Sequence, residues 1–419
     1  MVIISANIDQ KKKELLEDYI ATRNLTMKIV EPLEIEDFVI QAMPDTSPPK
    51  WHLAHSTWFF EDFILIKHVA GYDYYLKDAR KLFNSYYETL GTPFPRSMRG
   101  TIARPTVQTI INYRKHVDKK ITSYLSSEQE IDDEILALIK LGIHHEQQHQ
   151  ELLITDIKYN FSVNPLSPVY RESHIQSVAP APVEWLSFAE EVVTIGTNEE
   201  DFSFDNERPA HKQYLYPFSI SSRPVTNGEY INFIEDNGYS TAQYWLSDGW
   251  EEVKRNNLTA PLYWHHQDGT WFNYTLAGLK EVQEHEPVTH ISYYEADAYA
   301  RWAGYRLPTE QEWEWAFKDE KIEGQFLESL QLQPSIQNGK AVYGTVWEWT
   351  RSPYVPYPES ARPEGALGEY NVKFMSNQMI LRGGSCATPQ HHIRPTYRNF
   401  FHADKRWQFS GIRLAKDGK

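Results

Sequence analysis

The chain has 419 residues, of which 41% are hydrophobic and 14% aromatic, enough for two or three domains with sizeable cores. Its formal net charge of -15 argues against nucleic-acid binding, which requires a basic surface. The single cysteine, Cys386, excludes a disulfide framework and a cysteine-based zinc cluster within one chain. The first residues lack the apolar run of a signal peptide, and no stretch of about 18 apolar residues occurs, so we expect a cytoplasmic protein outside the membrane.

The first 160 residues carry the hydrophobic periodicity of helices. Four helices are predicted, over residues 9–25, 50–68, 106–123 and 128–159. Thr106, directly after a proline, is the expected N-cap of the third helix. The segment between residues 72 and 105 is predicted to be a long loop, and loops of that length are usually functional. Helices of these lengths favour an antiparallel bundle, in which metal sites form from side chains that face inward.

The fourth predicted helix contains the segment HHEQQHQE, residues 144–151. His145 and His149 are four residues apart, so their side chains share one face of the helix. Two imidazoles so placed can hold a divalent transition metal such as iron, zinc, copper or nickel. An isolated pair of this kind is more often a surface feature than a metal site, so a third ligand is needed from elsewhere.

Two questions about this site stay open at the level of the residues alone. The segment WHLAH offers either His52 or His55 as a third nitrogen ligand. Glu146 directly follows His145, as the general base does in the helix of zinc proteases. A zinc-dependent hydrolase that uses His145, Glu146 and His149 is therefore an alternative.

The chain changes character after residue 160. A proline-rich linker is predicted over residues 161–184. Beyond it, short strands are punctuated by glycine and aromatic residues, and only three brief helices are predicted. They cover residues 227–237, 292–303 and 309–318.

Five ordered segments of this second half carry a known pattern. They are FSISSRPVTNGEYINFI (218–234), PVTHISYYEADAYARWAGYRLPTEQEWEWA (287–316), GTVWEWTRSPY (344–354), LRGGSC (381–386) and RPTYRNFFHADKRWQFSGIRLA (394–415). Together they resemble the formylglycine-generating-enzyme (sulfatase-modifying factor) fold, a derivative of the C-type-lectin fold. Formylglycine-generating enzymes use a pair of active-site cysteines, so the resemblance does not extend to their activity. Cys386 is interpreted as a structural remnant.

The first half resembles the DinB-like four-helix bundle. A DinB-like bundle followed by the lectin-like domain, with HEQQHQE on the fourth helix, is the arrangement of the EgtB family, the sulfoxide synthases of ergothioneine biosynthesis. The resemblance covers nearly the whole chain and implies an α+β fold. It implies a bundle with the metal ligands over residues 1–160, a linker over 161–184 and a formylglycine-generating-enzyme-like domain over 185–419.

The resemblance implies an oxygen-dependent oxidoreductase that contains non-haem iron(II). Such an enzyme joins the sulfur of cysteine or γ-glutamylcysteine to C2 of hercynine (N,N,N-trimethylhistidine) and oxidises that sulfur to a sulfoxide. Its partners are small molecules: hercynine, the thiol and dioxygen. His55, His145 and His149 match the metal ligands of the family, with His52 as the competitor of His55. Three ligands leave positions on the iron open, and these bring the substrates together.

The resemblance also assigns residues beside the metal. Gln148 matches a residue that hydrogen-bonds the substrate imidazole, and a solvent-facing amide is the alternative. Tyr86 and Tyr87 match paired tyrosines that face the iron in one subgroup, with Tyr87 as the first choice. A phenol in that place can deliver a proton and an electron, which favours sulfoxide formation over thiol dioxygenation. The paired tyrosines favour cysteine as the sulfur donor.

Two further groups of residues match substrate-binding segments of the family. Arg96 and Arg99 match loop arginines that clamp the carboxylate of the thiol, since the guanidinium fork suits a carboxylate. A surface salt bridge is the alternative for either arginine. Asn399, Phe400 and Phe401 match the segment that contacts the betaine, whose quaternary ammonium is held by aromatic faces. Core packing is the alternative for the two phenylalanines.

Two more alternatives stay open. A selenoneine-type synthase, which takes a selenosugar as its donor, carries the same motifs. A noncatalytic metal-binding bundle with a lectin-like module would bind betaine or carbohydrate without consuming oxygen. Oxygen uptake with hercynine and each candidate donor separates these alternatives.

Overall fold

The computed structural model describes residues 2–173, 178–336, 340–361 and 371–418. The chain divides into two compact units that part between Asn164 and Pro165. The first unit is helical and the second contains the β-sheets, which confirms the predicted α+β class. No helix in the described residues is both long and apolar enough to cross a bilayer.

The first unit is a bundle of long helices with short connecting elements. Its described α-helices are α1 (Val2–Val30), α2 (Pro49–Phe60), α3 (Ile66–His68), α4 (Ala79–Phe83), α5 (Val107–Leu125) and α6 (Asp133–Ser162). A π-helical turn over Glu61–Leu65 joins α2 to α3, so the predicted helix over 50–68 is one helical stretch. Helix α1 packs on α6, and α2 packs on both α5 and α6.

Helix α2 lies in the core of the bundle. All 12 of its residues are buried, including the polar His52 and His55. The large side chains of Trp51, Trp58 and Phe60 are at most 2% exposed. Burial of each such aromatic side chain contributes roughly 1.5–3 kcal/mol, so this helix supplies much of the hydrophobic stabilisation of the unit. The two histidines are therefore held in a closely packed interior.

The helix boundaries agree with the sequence patterns in most places. Thr106 caps α5 as predicted, and its hydroxyl accepts a backbone N–H of the first turn at 3.2 Å. Helix α6 begins at Asp133, five residues after the predicted start at 128. Ile131 continues the helical pattern of apolar residues in the sequence. In the structure it is a buried residue of the segment that precedes the helix. The predicted loop over 72–105 contains α4 and two short 3-10 helices.

The second unit has four small sheets within its described residues. Its strands are β1 (Trp185–Phe188), β2 (Glu191–Ile195), β3 (His211–Leu215), β4 (Phe218–Ser221), β5 (Trp264–Gln267), β6 (Thr270–Thr275), β7 (Gly278–Glu281), β8 (Trp347–Pro353), β9 (Gln378–Arg382), β10 (Asn399–His402), β11 (Ser410–Gly411) and β12 (Ala415–Asp417). The sheet orders are β1-β4-β12, β10-β9-β8-β11, β2-β3 and β5-β6-β7. In the four-stranded sheet β11 runs parallel to β8, whereas β8, β9 and β10 pair antiparallel.

Three of the four described helices of the second unit begin at a capping box. The described helices are α7 (Asn227–Glu235), α8 (Ser247–Asn256), α9 (Tyr293–Trp302) and α10 (Glu310–Phe317). The predicted helices correspond to α7, α9 and α10, and each starts with a capping box of Ser or Thr followed three residues later by Glu. Helix α8 escapes prediction because Leu246 stands at its N-cap and supplies no side-chain hydrogen bond.

The predicted linker over 161–184 is only partly irregular. Its first two residues still belong to α6. The backbone N–H of Tyr170 donates to the carbonyl oxygen of Leu276 at 2.9 Å, so this part is held within the second unit. Residues 174–177 of the predicted linker lie outside the described residues.

Candidate metal centre

Three histidines converge inside the helical unit. His55 comes from α2, and His145 and His149 come from α6. One ring nitrogen of each lies within 4.8 Å of those of the other two, and the ring centroids are 4.5–4.9 Å apart. The Nε2 atoms of His55 and His145 are 3.1 Å apart. The structure thus brings together the three residues that the sequence predicts as metal ligands.

Neighbouring groups orient two of the three rings. The Nδ1 atom of His55 lies 2.6 Å from the carbonyl oxygen of Phe83, so this nitrogen carries the proton and donates it. The Nδ1 atom of His149 lies 2.9 Å from Nδ1 of His52. His52, the competitor for the third ligand position, is therefore bonded to a predicted ligand and lies outside the cluster of three.

Burial keeps these imidazoles neutral. It lowers the pKa of His145 to about 3. Burial, and then the neighbouring His145, lowers the pKa of His55 well below its ordinary value. Burial, and then His55, does the same for the pKa of His149. Because a metal binds the neutral imidazole, these nitrogens need not lose a proton first.

The donor set is compatible with a first-row transition metal. Three neutral nitrogen donors suit iron, zinc, copper or nickel, whereas magnesium and calcium prefer oxygen. His55 and His145 are buried, but His149 is partly exposed. His149 is thus the least buried residue of the three.

Glu146 lies in a separate cluster of buried charges. One carboxylate oxygen accepts from Nη1 of Arg23 at 2.6 Å, and the other accepts from the hydroxyl of Thr26 at 2.6 Å and from Arg114. Burial alone would raise the pKa of Glu146, but Arg114 and Arg23 outweigh it and lower that pKa to about 2. A carboxylate held by two arginines is a poor general base, which argues against the hydrolase alternative.

An aromatic and cationic stack covers His55. The ring of Trp51 lies flat on His55, with centroids 4.5 Å apart and planes at 13°. The guanidinium carbon of Arg99 lies 3.4 Å from the centroid of the Trp51 ring. Hydroxyls of Ser47 and Ser85 accept from the two terminal nitrogens of Arg99 at 2.8 and 3.0 Å. The stack fixes both the ring of His55 and the direction of the guanidinium.

The two predicted arginines differ in their surroundings. Arg99 is 3% exposed, and its two terminal nitrogens donate to hydroxyls. Burial, and then the charge of Arg96, lowers the pKa of Arg99. The side chain of Arg96 is exposed, and its carbonyl oxygen accepts from Gln41 at 2.8 Å. A buried cation surrounded by hydroxyls is the better anchor for an anionic ligand.

The predicted tyrosine pair lies next to the same aromatic cluster. Tyr87 is fully buried, with its ring 5.4 Å from Phe63 and 6.0 Å from Trp58. Trp58 also stacks on His55, with centroids 5.8 Å apart. The hydroxyls of Tyr86 and Tyr87 are 3.4 Å apart, and Tyr86 is only half-buried. The pair therefore combines one buried and one more accessible phenol.

The remaining predicted residues lie in two places. Gln148 is half-buried on α6, next to His149. Asn399, Phe400 and Phe401 form part of β10 in the second unit, and all three are partly exposed. Phe400 stacks on Tyr354 with centroids 4.1 Å apart, and Phe401 packs edge-on against Trp407 at 5.8 Å. Their contact with a substrate stays a prediction.

Sequence reasoning missed Asp156. Its Oδ2 atom lies 3.0 Å from Nε2 of His52, the residue bonded to His149. Asp156 follows His149 by seven residues, which is close to two helical turns. That spacing places both residues on one face of α6 and is the signal that could have identified it.

Two known families match the chain. Residues 18–153 match the DinB superfamily, and residues 177–343 and 331–418 match the sulfatase-modifying factor enzyme 1-like domain. The hercynine oxygenase of Mycobacterium tuberculosis is 36% identical over 253 residues, which cover 54% of this chain and 59% of that protein. The hercynine oxygenase of Mycolicibacterium smegmatis is 35% identical over 257 residues, which again cover 54% of this chain and 59% of that protein. Ergothioneine biosynthesis protein 1 of Schizosaccharomyces pombe is 30% identical over 233 residues, covering 52% of this chain and 28% of that protein.

These matches cover less than two thirds of each relative. Among solved structures, the Treponema denticola variable protein 1 covers 56% of this chain and 95% of its own, with a TM-score of 0.39 and 15% identity, too distant to bear on function. The sulfatase-modifying factor match spans more than half of the present chain. The chain therefore belongs to the sulfatase-modifying factor enzyme 1-like family, and it joins that domain to a DinB-superfamily bundle in the manner of the EgtB-type sulfoxide synthases.

Proposed function

We propose that this protein is a non-haem iron(II)-dependent sulfoxide synthase of ergothioneine biosynthesis. It joins the sulfur of cysteine or γ-glutamylcysteine to C2 of hercynine and uses dioxygen as the oxidant. The observation that carries the proposal is the cluster of His55, His145 and His149, whose ring nitrogens lie within 4.8 Å of one another. Relatives named hercynine oxygenase support the choice of substrate.

The reaction balances without a further reductant. Formation of the carbon–sulfur bond removes two electrons and two protons from the thiol and the imidazole. Oxidation of the sulfur removes two more electrons, so dioxygen accepts four in total. One of its oxygen atoms ends in the sulfoxide and the other leaves as water. Iron(II), when bound by the three histidines, supplies a redox-active centre with open positions for the reactants.

The protein's own residues bind and orient the reactants. Arg99 offers a buried guanidinium with few competing partners, which suits the carboxylate of the thiol substrate. Gln148, which is half-buried and precedes His149 on α6, is assigned to hydrogen bonding with the imidazole of hercynine. Holding the reactants together replaces a bimolecular encounter by an oriented one.

The tyrosine pair is assigned to proton transfer. The hydroxyl of Tyr87 holds a proton inside the buried aromatic cluster, and the hydroxyl of Tyr86 lies 3.4 Å away. A second phenol at that distance can pass a proton between the cluster and the more accessible side. This role favours the sulfoxide over a sulfinate formed from the thiol alone.

The test begins with protein loaded with iron(II) under anaerobic conditions. Oxygen consumption and product mass are then measured with hercynine plus cysteine and, separately, with hercynine plus γ-glutamylcysteine. We expect oxygen uptake and a product that contains both substrates and one added oxygen atom. Equal uptake without hercynine, or full activity with zinc in place of iron, would contradict the proposal.

A pair of variants tests the ligand assignment. His55→Ala is expected to lose both iron retention and oxygen consumption. His116→Ala is the matched control, because His116 lies on α5 of the same bundle and contacts Tyr72 and Tyr75 rather than the cluster. An active His55→Ala protein with one iron per chain would assign the third ligand to His52 instead.

A further inference from the structure

Two polar side chains connect in series to His149, the partly exposed member of the three-histidine cluster. Oδ2 of Asp156 lies 3.0 Å from Nε2 of His52, and Nδ1 of His52 lies 2.9 Å from Nδ1 of His149. Asp156 is 4% exposed and His52 is 3% exposed. Both residues are therefore largely shielded from water, which favours hydrogen bonds to protein partners.

The number of protons available decides the direction of each hydrogen bond. An ionised carboxylate only accepts, and Oδ2 of Asp156 already accepts from the backbone N–H of Ser47 at 2.8 Å. Nε2 of His52 must therefore carry a proton and donate it. A neutral imidazole has one donor and one acceptor, so Nδ1 of His52 accepts. It can accept only if Nδ1 of His149 carries a proton.

We propose that Asp156 and His52 are positioning residues that hold His149 in its Nδ1–H tautomer, which turns the Nε2 lone pair of His149 towards the metal. This inference rests on the proposed metal centre but not on the reaction carried out there. His55 is held in the same way by a single acceptor, the carbonyl oxygen of Phe83 at 2.6 Å. The tautomer of His149 is thus fixed by a histidine and a carboxylate, whereas the tautomer of His55 is fixed by a backbone carbonyl.

The same contacts disfavour the other tautomer of His52, in which Nδ1 carries the proton. If Nδ1 of His52 donated to His149, its Nε2 atom would face Asp156 as a second acceptor at 3.0 Å. Two acceptors at that distance repel each other, and both groups are buried. His149 would then carry its proton on Nε2, which is the tautomer that cannot bind a metal through that atom.

The direct test determines which nitrogen carries each proton. Protein labelled with 15N-histidine is loaded with zinc, which is diamagnetic, and long-range 1H–15N correlation spectra are recorded. We expect a proton on Nδ1 of His149, a proton on Nε2 of His52 and a metal-shifted Nε2 for His149. A protonated Nδ1 on His52, or a metal-shifted Nδ1 on His149, would overturn the proposal.

A second test measures metal affinity instead of activity. Cobalt(II) is titrated into the apo protein against a competing chelator, and its visible absorption bands report the ligand set. Asp156→Asn and His52→Phe are expected to bind about 10- to 100-fold more weakly, because groups that orient metal ligands have effects of that order. Unchanged affinity in both folded variants contradicts the proposed series of contacts from Asp156 through His52 to His149 (the relay).

A matched control separates the relay from general effects on the bundle. Asp118→Asn changes a carboxylate that accepts from Tyr19 at 2.8 Å and Arg23 at 2.6 Å, without contact to the histidines, and should keep the affinity of the unsubstituted protein. If the unsubstituted protein binds no cobalt or zinc, the proposed metal centre fails. If it binds metal with the other tautomer, only the relay fails. The spectra of the unsubstituted protein decide the question even if a variant does not fold.

Discussion

Gly142 on α6 faces the ring of Phe60 on α2 so closely that a Cβ atom at Gly142 would lie 2.6 Å from Cε1 of Phe60. Only glycine leaves room for this approach of the two helices. Gly142 precedes His145 by three residues, and Phe60 follows His55 by five. The close contact is therefore next to the point where the histidines from the two helices meet.

We expect Gly142→Val to push α6 away from α2. Overpacking of this kind costs about 1–3 kcal/mol in the free energy of unfolding. It should also weaken cobalt(II) binding, since the ring nitrogens of His55 and His145 separate. Ala137→Val is the control, because it introduces the same side chain at an exposed position of the same helix. Equal loss of stability and metal binding in both variants would contradict a role for the helix contact.

Glu146→Gln is expected to destabilise the bundle strongly. The substitution leaves the charges of Arg23 and Arg114 buried without their carboxylate, and breaking a buried ion pair costs about 3–5 kcal/mol. Urea unfolding of the apo protein measures this loss. Glu134→Gln, at an exposed position of the same helix, should change the free energy of unfolding by less than about 0.5 kcal/mol. A stable Glu146→Gln protein with normal metal binding and lost activity would instead support a catalytic base.

Replacement of Tyr86 and Tyr87 together by Phe is expected to change the product. Without a phenol in the aromatic cluster, turnover should shift from the sulfoxide towards the sulfinate of the thiol. Mass spectrometry of both products after oxygen consumption measures the ratio. Tyr75→Phe removes the hydroxyl of a partly exposed tyrosine that stacks on Tyr113, and it should leave the ratio unchanged. An unaltered sulfoxide yield in the double variant would refute the assignment.

Arg99 and Arg96 are expected to contribute unequally to binding of the thiol. Arg99→Lys loses the fork that matches a carboxylate, and a charged hydrogen bond is worth about 1.5–3 kcal/mol, or roughly a 10- to 150-fold rise in KM for the thiol. KM for hercynine should change little. Arg96→Lys, at an exposed position, should have a small effect. A larger rise in KM for the thiol in Arg96→Lys than in Arg99→Lys would assign the carboxylate contact to Arg96.

The stability of the second unit should fall below neutral pH because of His392. Burial, and then the charge of Arg394, lowers the pKa of His392 well below its unfolded value of about 6.5. Below that value the unfolded chain binds a proton that the folded chain does not, so stability decreases as the pH falls. The loss should therefore develop between pH 7 and pH 5, the range in which the unfolded imidazole takes up its proton.

Urea unfolding at the two pH values measures the effect. His392→Gln should remove this share of the pH dependence, although it also loses the contact of Nε2 with the hydroxyl of Tyr397 at 2.9 Å. His285→Gln, which replaces an exposed histidine, is the control. The same dependence in the His392→Gln and unsubstituted proteins would contradict the assignment.

Local patterns predict local structure well in this protein. The capping boxes at Thr226, Ser292 and Thr309 mark three helix starts, because the residues that satisfy the first backbone N–H groups lie within one turn. The spacing of His145 and His149 likewise places both on one face of α6. Helix α8 and the start of α6 escape prediction because the first lacks a capping side chain and the second follows an apolar residue outside the helix.

By itself, the sequence determined the change from long helices to short strands, most of the longer helices, the two matching families and the histidine pair on α6. Only the tertiary structure showed that His55, and not His52, completes the cluster of three with that pair. Only the tertiary structure showed that Glu146 pairs with two arginines. The physical reason is that spacing within one helix follows from the geometry of that helix. The register between α2 and α6, by contrast, depends on packing between residues far apart in the chain.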